Sequence, residues 1–119
     1  MNMSQMQLNK MLMSHNAWIH NDKLGQRADF TDQDLSGADM RYRNLINVIF
    51  VNSNLEKTNF TGSNMASADC TNANMREAKL IGTTLTYALF QNANMSRANF
   101  SGAALSGTGL DRVLKSHTG

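Results

Sequence analysis

The sequence predicts an all-β solenoid of about four coils behind an N-terminal α-helical cap, and three observations carry that prediction. Beginning at Phe30, every fifth residue is apolar through Leu110, seventeen positions without insertion or deletion. Two residues before each stands Ala, Ser or Thr in fourteen of the seventeen units, and one residue before each stands Asp or Asn in eleven. At a spacing of twenty the less regular residues also fall into register. Tyr42, Gly62, Gly82 and Gly102 form one column, Asn52, Asn72 and Asn92 another, and Asn54, Asn74 and Asn94 a third. A fixed internal period of this kind sets the architecture before any local reading does.

A period of five fits neither regular element. On an α-helix each step of five advances about 140°, so the apolar residues would wind around every side. A plain strand alternates with period two. Within one unit the small and the large apolar residue are two apart, so both can point inward, and the next three positions must then turn. The unit is a short extended segment plus a corner, and Asp, Asn, Gly and Ser suit the corners because they tolerate αL geometry or bond their own backbone. One unit buries almost nothing, whereas stacked coils bury a continuous column. The column of twenty gives four units per coil, hence four sides.

Taken in order, the chain divides into a capping helix and lead-in over 1–27, the repeat over 28–112 and a short cap or tail over 113–119. Ser4 with Gln7 has the pattern of a capping box. Leu8, Met11, Leu12, His15, Trp18 and Ile19 then share one helical face, and Gly25 is expected to mark a break near the helix end. This apolar face suits either a partner's groove or a lid, and the exposed edge of a first coil calls for a lid. In the repeat, Phe30, Phe50, Phe60, Cys70, Phe90 and Phe100 belong to the inward column, so Cys70 reads as a buried structural thiol. Beyond Phe100 the units lose their acidic or amide residue, and Asp111 to Lys115 are expected to form a short helical turn over the far end.

A strict repeat makes its exceptions visible. Gln33 and Arg43 take positions that should be small and inward. A guanidinium cannot sit unpaired in an apolar column, so Arg43 is expected to open the first coil or to turn out toward Asp34, Asp39 or the helix C-terminus. Ile49 and Leu89 replace the usual Asp or Asn in one column, with Asp69 between them and Val51 beside Ile49. Ile49, Val51 and Leu89 are therefore the candidate protein-contact face. Arg41, Tyr42, Ile81 and Tyr87 are secondary candidates on other faces, where Ile46 also projects outward, and aromatic residues beside Arg are an interface-like mixture.

Several functions are disfavoured. The net charge is +2 with eleven basic residues spread along the chain, whereas a nucleic-acid binder shows a basic cluster and a DNA mimic a strongly acidic surface. His15, His20 and His117 complete no metal-ligand spacing. Gly62, Gly82 and Gly102 lack the Lys-Ser/Thr of a phosphate loop. No Ser, His and acid grouping stands out, so the expectation is no enzyme and no cofactor. No apolar run reaches the length of a membrane span. The single Cys and the lack of a signal-peptide pattern agree with a cytoplasmic setting.

The runs Ala38-Asp39-Met40, Ala68-Asp69-Cys70, Ala73-Asn74-Met75, Ala93-Asn94-Met95 and Ala98-Asn99-Phe100 resemble the pentapeptide repeat family. The resemblance covers about 85 of the 119 residues and implies a right-handed quadrilateral β-helix. The lead-in residues His15, Trp18, Gly25, Arg27 and Ala28 resemble the segment that precedes the repeats in many members. The family is made up mostly of interaction modules, so the resemblance implies a rigid module that presents a flat face or an end to a protein partner. Some members dimerise through their C-terminal ends, which makes a homodimer a further expectation. Other members resemble duplex DNA and engage DNA gyrase, conferring quinolone resistance or toxin immunity. This chain departs from them in having fewer coils, no interrupting loop and a slightly basic charge. A phage or effector protein docking on a host target is a third reading.

Overall fold

The computed structural model describes residues 1–110. From Asp29 to Ala104, twelve parallel pairings join residues twenty apart, beginning with Asp29 to Ile49, Asp34 to Asn54, Asp39 to Asn59 and Asn44 to Asn64. Each coil therefore has four pairing positions, one per five residues, which is the four-unit coil that the glycine and asparagine columns predict. Pairing is confined to single residues because a corner follows each one.

The corner residues explain the spacing. Every fifth residue from Asp32 to Gly107 has a positive φ, between 57° and 76°. Gly occupies Gly37, Gly62, Gly82, Gly102 and Gly107, and Asn or Asp occupies Asp32, Asn47, Asn52, Asn72 and Asn92. These residues enter αL at least cost. The Asp or Asn three residues earlier has a separate duty. In all eleven units its Oδ1 accepts the N–H two residues on, as Asp29 does from Thr31 at 2.9 Å and Asn99 from Ser101 at 3.0 Å. The side chain supplies the acceptor that opens the turn. Where a Ser or Thr stands two residues on, its hydroxyl donates to the same oxygen and holds the carboxyls of Asp29 and Asp34 below their usual range.

The large inward residues from Phe30 to Leu85 are fully buried. Phe30 stacks on Phe50 at 5.5 Å, and Phe50 meets Phe60 edge-on at 5.7 Å. The small inward position also takes hydroxyls because each one finds a carbonyl. Ser53 donates to Phe50 at 2.6 Å, Thr58 to Leu35 at 2.9 Å and Thr83 to Leu80 at 2.7 Å. Cys70 lies within this column, and burial pushes its thiol pKa far up, so it is an inert apolar residue.

The helix α1 spans Gln5–Ile19, with Ser4 and Gln7 closing the capping box in both directions. Leu8, Leu12 and His15 are buried against the first coil, while Met11 packs at the margin. Trp18 and Ile19 are half-buried. The break expected at Gly25 lies earlier: the helix ends at Ile19, and Asn21 takes a φ of 61°. Gly25 has another reason to be glycine, because a Cβ there would stand 2.2 Å from the Trp18 nitrogen. The expected turn at Asp111 to Lys115 lies outside the described residues.

Candidate interaction surfaces

Five described pairing positions between Asp29 and Ala104 carry no Asp or Asn, and so lack the turn-opening bond: Ile49, Lys79, Thr84, Leu89 and Ala104. Their side chains have no local task, which makes them the natural places to look for function. Two of them, Ile49 and Leu89, fall in the column of the candidate contact face. The pairings run Asp29, Ile49, Asp69, Leu89, so the two aliphatic residues alternate with carboxylates. Leu89 is 52% exposed, whereas Ile49 and Val51 are half-buried. Asp69, bonded to the Thr71 hydroxyl at 2.6 Å, interrupts the patch. This side offers one prominent apolar residue rather than three.

The secondary candidates are brought together by the coil. Tyr42 and Ile81 belong to one corner, in coils one and three, and Ile46 and Tyr87 belong to the next. Between these corners runs the side whose pairing residues are Asn44, Asn64, Thr84 and Ala104. In the second, third and fourth coils this side and its corners (61–68, 81–88 and 101–108) contain no charged residue. Tyr42 is 75% exposed and Tyr87 67%. Both tyrosines are αL corner residues, with φ of 57° and 59°, an uncommon backbone for a bulky side chain. Each ring lies along the glycine of the next coil. A Cβ on Gly62 would stand 2.5 Å from Tyr42 Cδ1, and one on Gly107 would stand 2.3 Å from Tyr87 Cδ1. The opposite character appears one side away, where Lys57, Glu77 and Arg97 stack down a corner, with Glu77 3.8 Å from Lys57 and 3.7 Å from Arg97. Arg76 joins them through Glu77 at 3.3 Å and ties in Glu56, also at 3.3 Å.

Arg43 corrects the sequence expectation. It reaches neither Asp34 nor Asp39, nor the C-terminus of α1, but donates to Asn9 Oδ1 in mid-helix at 2.8 Å. The same oxygen accepts from Gln5 at 3.1 Å. Arg41 stays on the surface, held by both oxygens of Asp39 at 2.9 and 3.1 Å. Gln33 is exposed at the edge of the first coil rather than inside it.

His15 has a defined structural role. Its Nδ1 accepts the Ala28 N–H at 2.9 Å, so its Nε2 carries the proton and donates to the Ile46 carbonyl at 2.8 Å. Burial lowers its pKa below the ordinary value and outweighs the bond to Ile46, with Arg27 adding to the lowering. Trp18 packs on the imidazole at 5.5 Å, and the Arg27 guanidinium lies 5.9 Å from the Trp18 ring. The ring is a neutral clamp whose nitrogens are both committed. Among the described residues, no group of three His, Cys, Asp or Glu could hold a metal ion, and no helix is long and apolar enough to cross a membrane.

The family model for pentapeptide repeats matches residues 44–80 and 73–112, more than half of the chain. The chain belongs to the pentapeptide repeat family. The structure is similar to that of a pentapeptide repeat protein from Nostoc PCC 7120, with a TM-score of 0.70 and 24% identity over 81% of this chain and 73% of that one. It also resembles HetL of Nostoc sp. strain PCC 7120, a pentapeptide repeat protein involved in the regulation of heterocyst differentiation. That match has a TM-score of 0.65 and 28% identity, and covers 70% of this chain but only 38% of HetL. The likeness to a plasmid-mediated fluoroquinolone resistance protein, at 19% identity and a TM-score of 0.38, is too slight to bear on function. A search of curated proteins found no match.

Proposed function

We propose that this pentapeptide repeat protein is a non-enzymatic, rigid protein-binding module. The observation that carries this reading is the display of Tyr42, Ile81, Tyr87 and Leu89 as exposed side chains on a backbone paired coil to coil along its length. A rigid display lowers the ordering cost of binding, and exposed tyrosines are enriched among the residues that anchor protein contacts. Two sides are the candidates: the uncharged one bearing the tyrosines, and the one bearing Leu89 with Ile49 and Val51. The half-buried inner residues of the last coil, Met95, Phe100 and Leu105, make that end a further candidate for a homodimer contact. The coil is read as right-handed and quadrilateral, as in the family. The near-universal handedness of parallel crossovers supports this.

Capture from a lysate of the source cells tests the reading, with wild type beside Leu89→Asp and Thr84→Glu. A protein retained by wild type and lost in one variant, with the circular-dichroism spectrum unchanged, is the expected result and names the side. Retention of nothing by any form, with no self-association, contradicts the reading. Gyrase subunits among the retained proteins would favour the DNA-mimic alternative over this one. A cytoplasmic setting belongs to the same proposal and is checked by cell fractionation.

A further inference from the structure

We infer that the uncharged side is a self-association face, on which two copies of this chain pack with their rods antiparallel about a two-fold axis running across them. The inference rests on the protein-binding reading and names the partner for one side. A two-fold contact presents the same surface twice, so every residue must tolerate its counterpart. On the neighbouring side, burying the Lys57, Glu77, Arg97, Arg76 and Glu56 ladder would desolvate ions that are already paired. The uncharged side carries no such cost from the second coil to the fourth.

The register is self-complementary. Antiparallel packing of four coils sets coil one against coil four and coil two against coil three. Tyr42 then meets Gly102 of the second copy and, because its ring extends over Gly62, it also covers the second copy's Gly82. In its own chain a Cβ on Gly82 would meet nothing within 4 Å. Tyr87 likewise meets Ser67 of the second copy, and its ring, which extends over Gly107, reaches toward Asn47. Down the middle, Thr84 faces Asn64 and Ala104 faces Asn44. Each large side chain falls on a small one. The parallel alternative would bring together the two α1 helices and the Arg41 and Arg43 of both copies at one end. Antiparallel packing keeps those charges at opposite ends, over Ser101 and Ala103. The two tyrosines hold an αL backbone that Gly or Asn would take at less cost.

Four coils about 4.8 Å apart make a face roughly 20 Å tall. With a similar width, such a face contributes roughly 400 Å² per copy, about 800 Å² in all, which is smaller than a stable interface and of the size of a weak, transient one. The dimer is therefore weak and concentration-dependent.

Sedimentation equilibrium of the full chain, from micromolar to millimolar, tests this with three variants. Wild type is expected to show a monomer–dimer equilibrium, and Thr84→Glu to weaken it at least tenfold with an unchanged melting temperature. Thr84 makes no turn-opening bond, so the substitution spares the fold. If it proves unstable, Tyr87→Asn, which suits the αL corner, replaces it with the same expectation. Leu89→Asp, on another side, is expected to dimerise like wild type. A chain that stays monomeric throughout, or a dimer that persists in Thr84→Glu, overturns the inference. If the chain is monomeric yet lysate capture still yields a partner lost in Thr84→Glu, only self-association fails and the protein-binding reading stands.

Discussion

The two ends of the solenoid meet the same demand in different ways. Each must cover an apolar column and satisfy backbone groups that, inside the rod, would bond the next coil. At the N-terminal end, side chains from outside the repeat take the place of a missing coil. The Gln5 amide donates to the Asp39 carbonyl at 2.9 Å and accepts the Asp39 N–H at 3.1 Å, as a paired backbone would. The Asn2 N–H bonds the Asp34 carbonyl. His15 bonds the Ile46 carbonyl, and Arg27 Nε donates to the Asn47 carbonyl at 2.6 Å. Phe30, Leu35, Met40 and Leu45 are consequently sealed. At the other end, Met95, Phe100 and Leu105 remain half-buried. Repetition builds the middle of a solenoid, but only unrepeated sequence can finish an end.

The largest test of this contrast is to remove the lid. Deleting residues 4–19 should give an aggregating chain, because it exposes four large side chains and an edge of unpaired backbone. A soluble product with a native spectrum would show that the helix is not the lid. Next come paired core truncations. Phe60→Ala should cost about 3–5 kcal/mol in denaturant unfolding and Phe100→Ala clearly less, since the second residue already faces water in part. Equal costs would erase the distinction between the ends.

His15→Ala comes third, at about 2–3 kcal/mol, because it strands the Ala28 N–H and the Ile46 carbonyl in a buried site. It should also remove a pH dependence. With the folded pKa depressed, the unfolded chain takes up the proton first, so stability conferred at neutral pH is lost as pH falls below the ordinary value of 6.5. Urea titrations at several pH values should show this slope in wild type and its loss in the variant. Gln5→Ala is the smallest change, about 1 kcal/mol for two exposed hydrogen bonds to Asp39 and one to Asn9, measurable as a shift in the unfolding midpoint.

The repeat was legible because its chemistry is local. A small residue, an Asp or Asn and a large residue in succession state the inward pair and the turn-opening bond within one unit. The glycine column then gives the coil. The ends were less legible because their contacts occur once and join distant residues. Nothing near Arg43 in the chain points to Asn9, and nothing near Gly25 points to the Trp18 backbone. The His15 clamp had only its apolar face as a signal. The uncharged side is legible only when the charge-free stretches 61–68, 81–88 and 101–108 are set in register twenty apart, which makes Tyr42, Ile46, Ile81 and Tyr87 neighbours.

Native-state hydrogen exchange, read amide by amide along the columns, tests the contrast between the ends most directly. The prediction is strong protection at Phe30, Leu35, Met40 and Leu45, equal to that of the second and third coils, with a clear fall at Met95, Phe100 and Leu105. Protection that is weakest at Phe30 to Leu45, or uniform to the last coil, would contradict it.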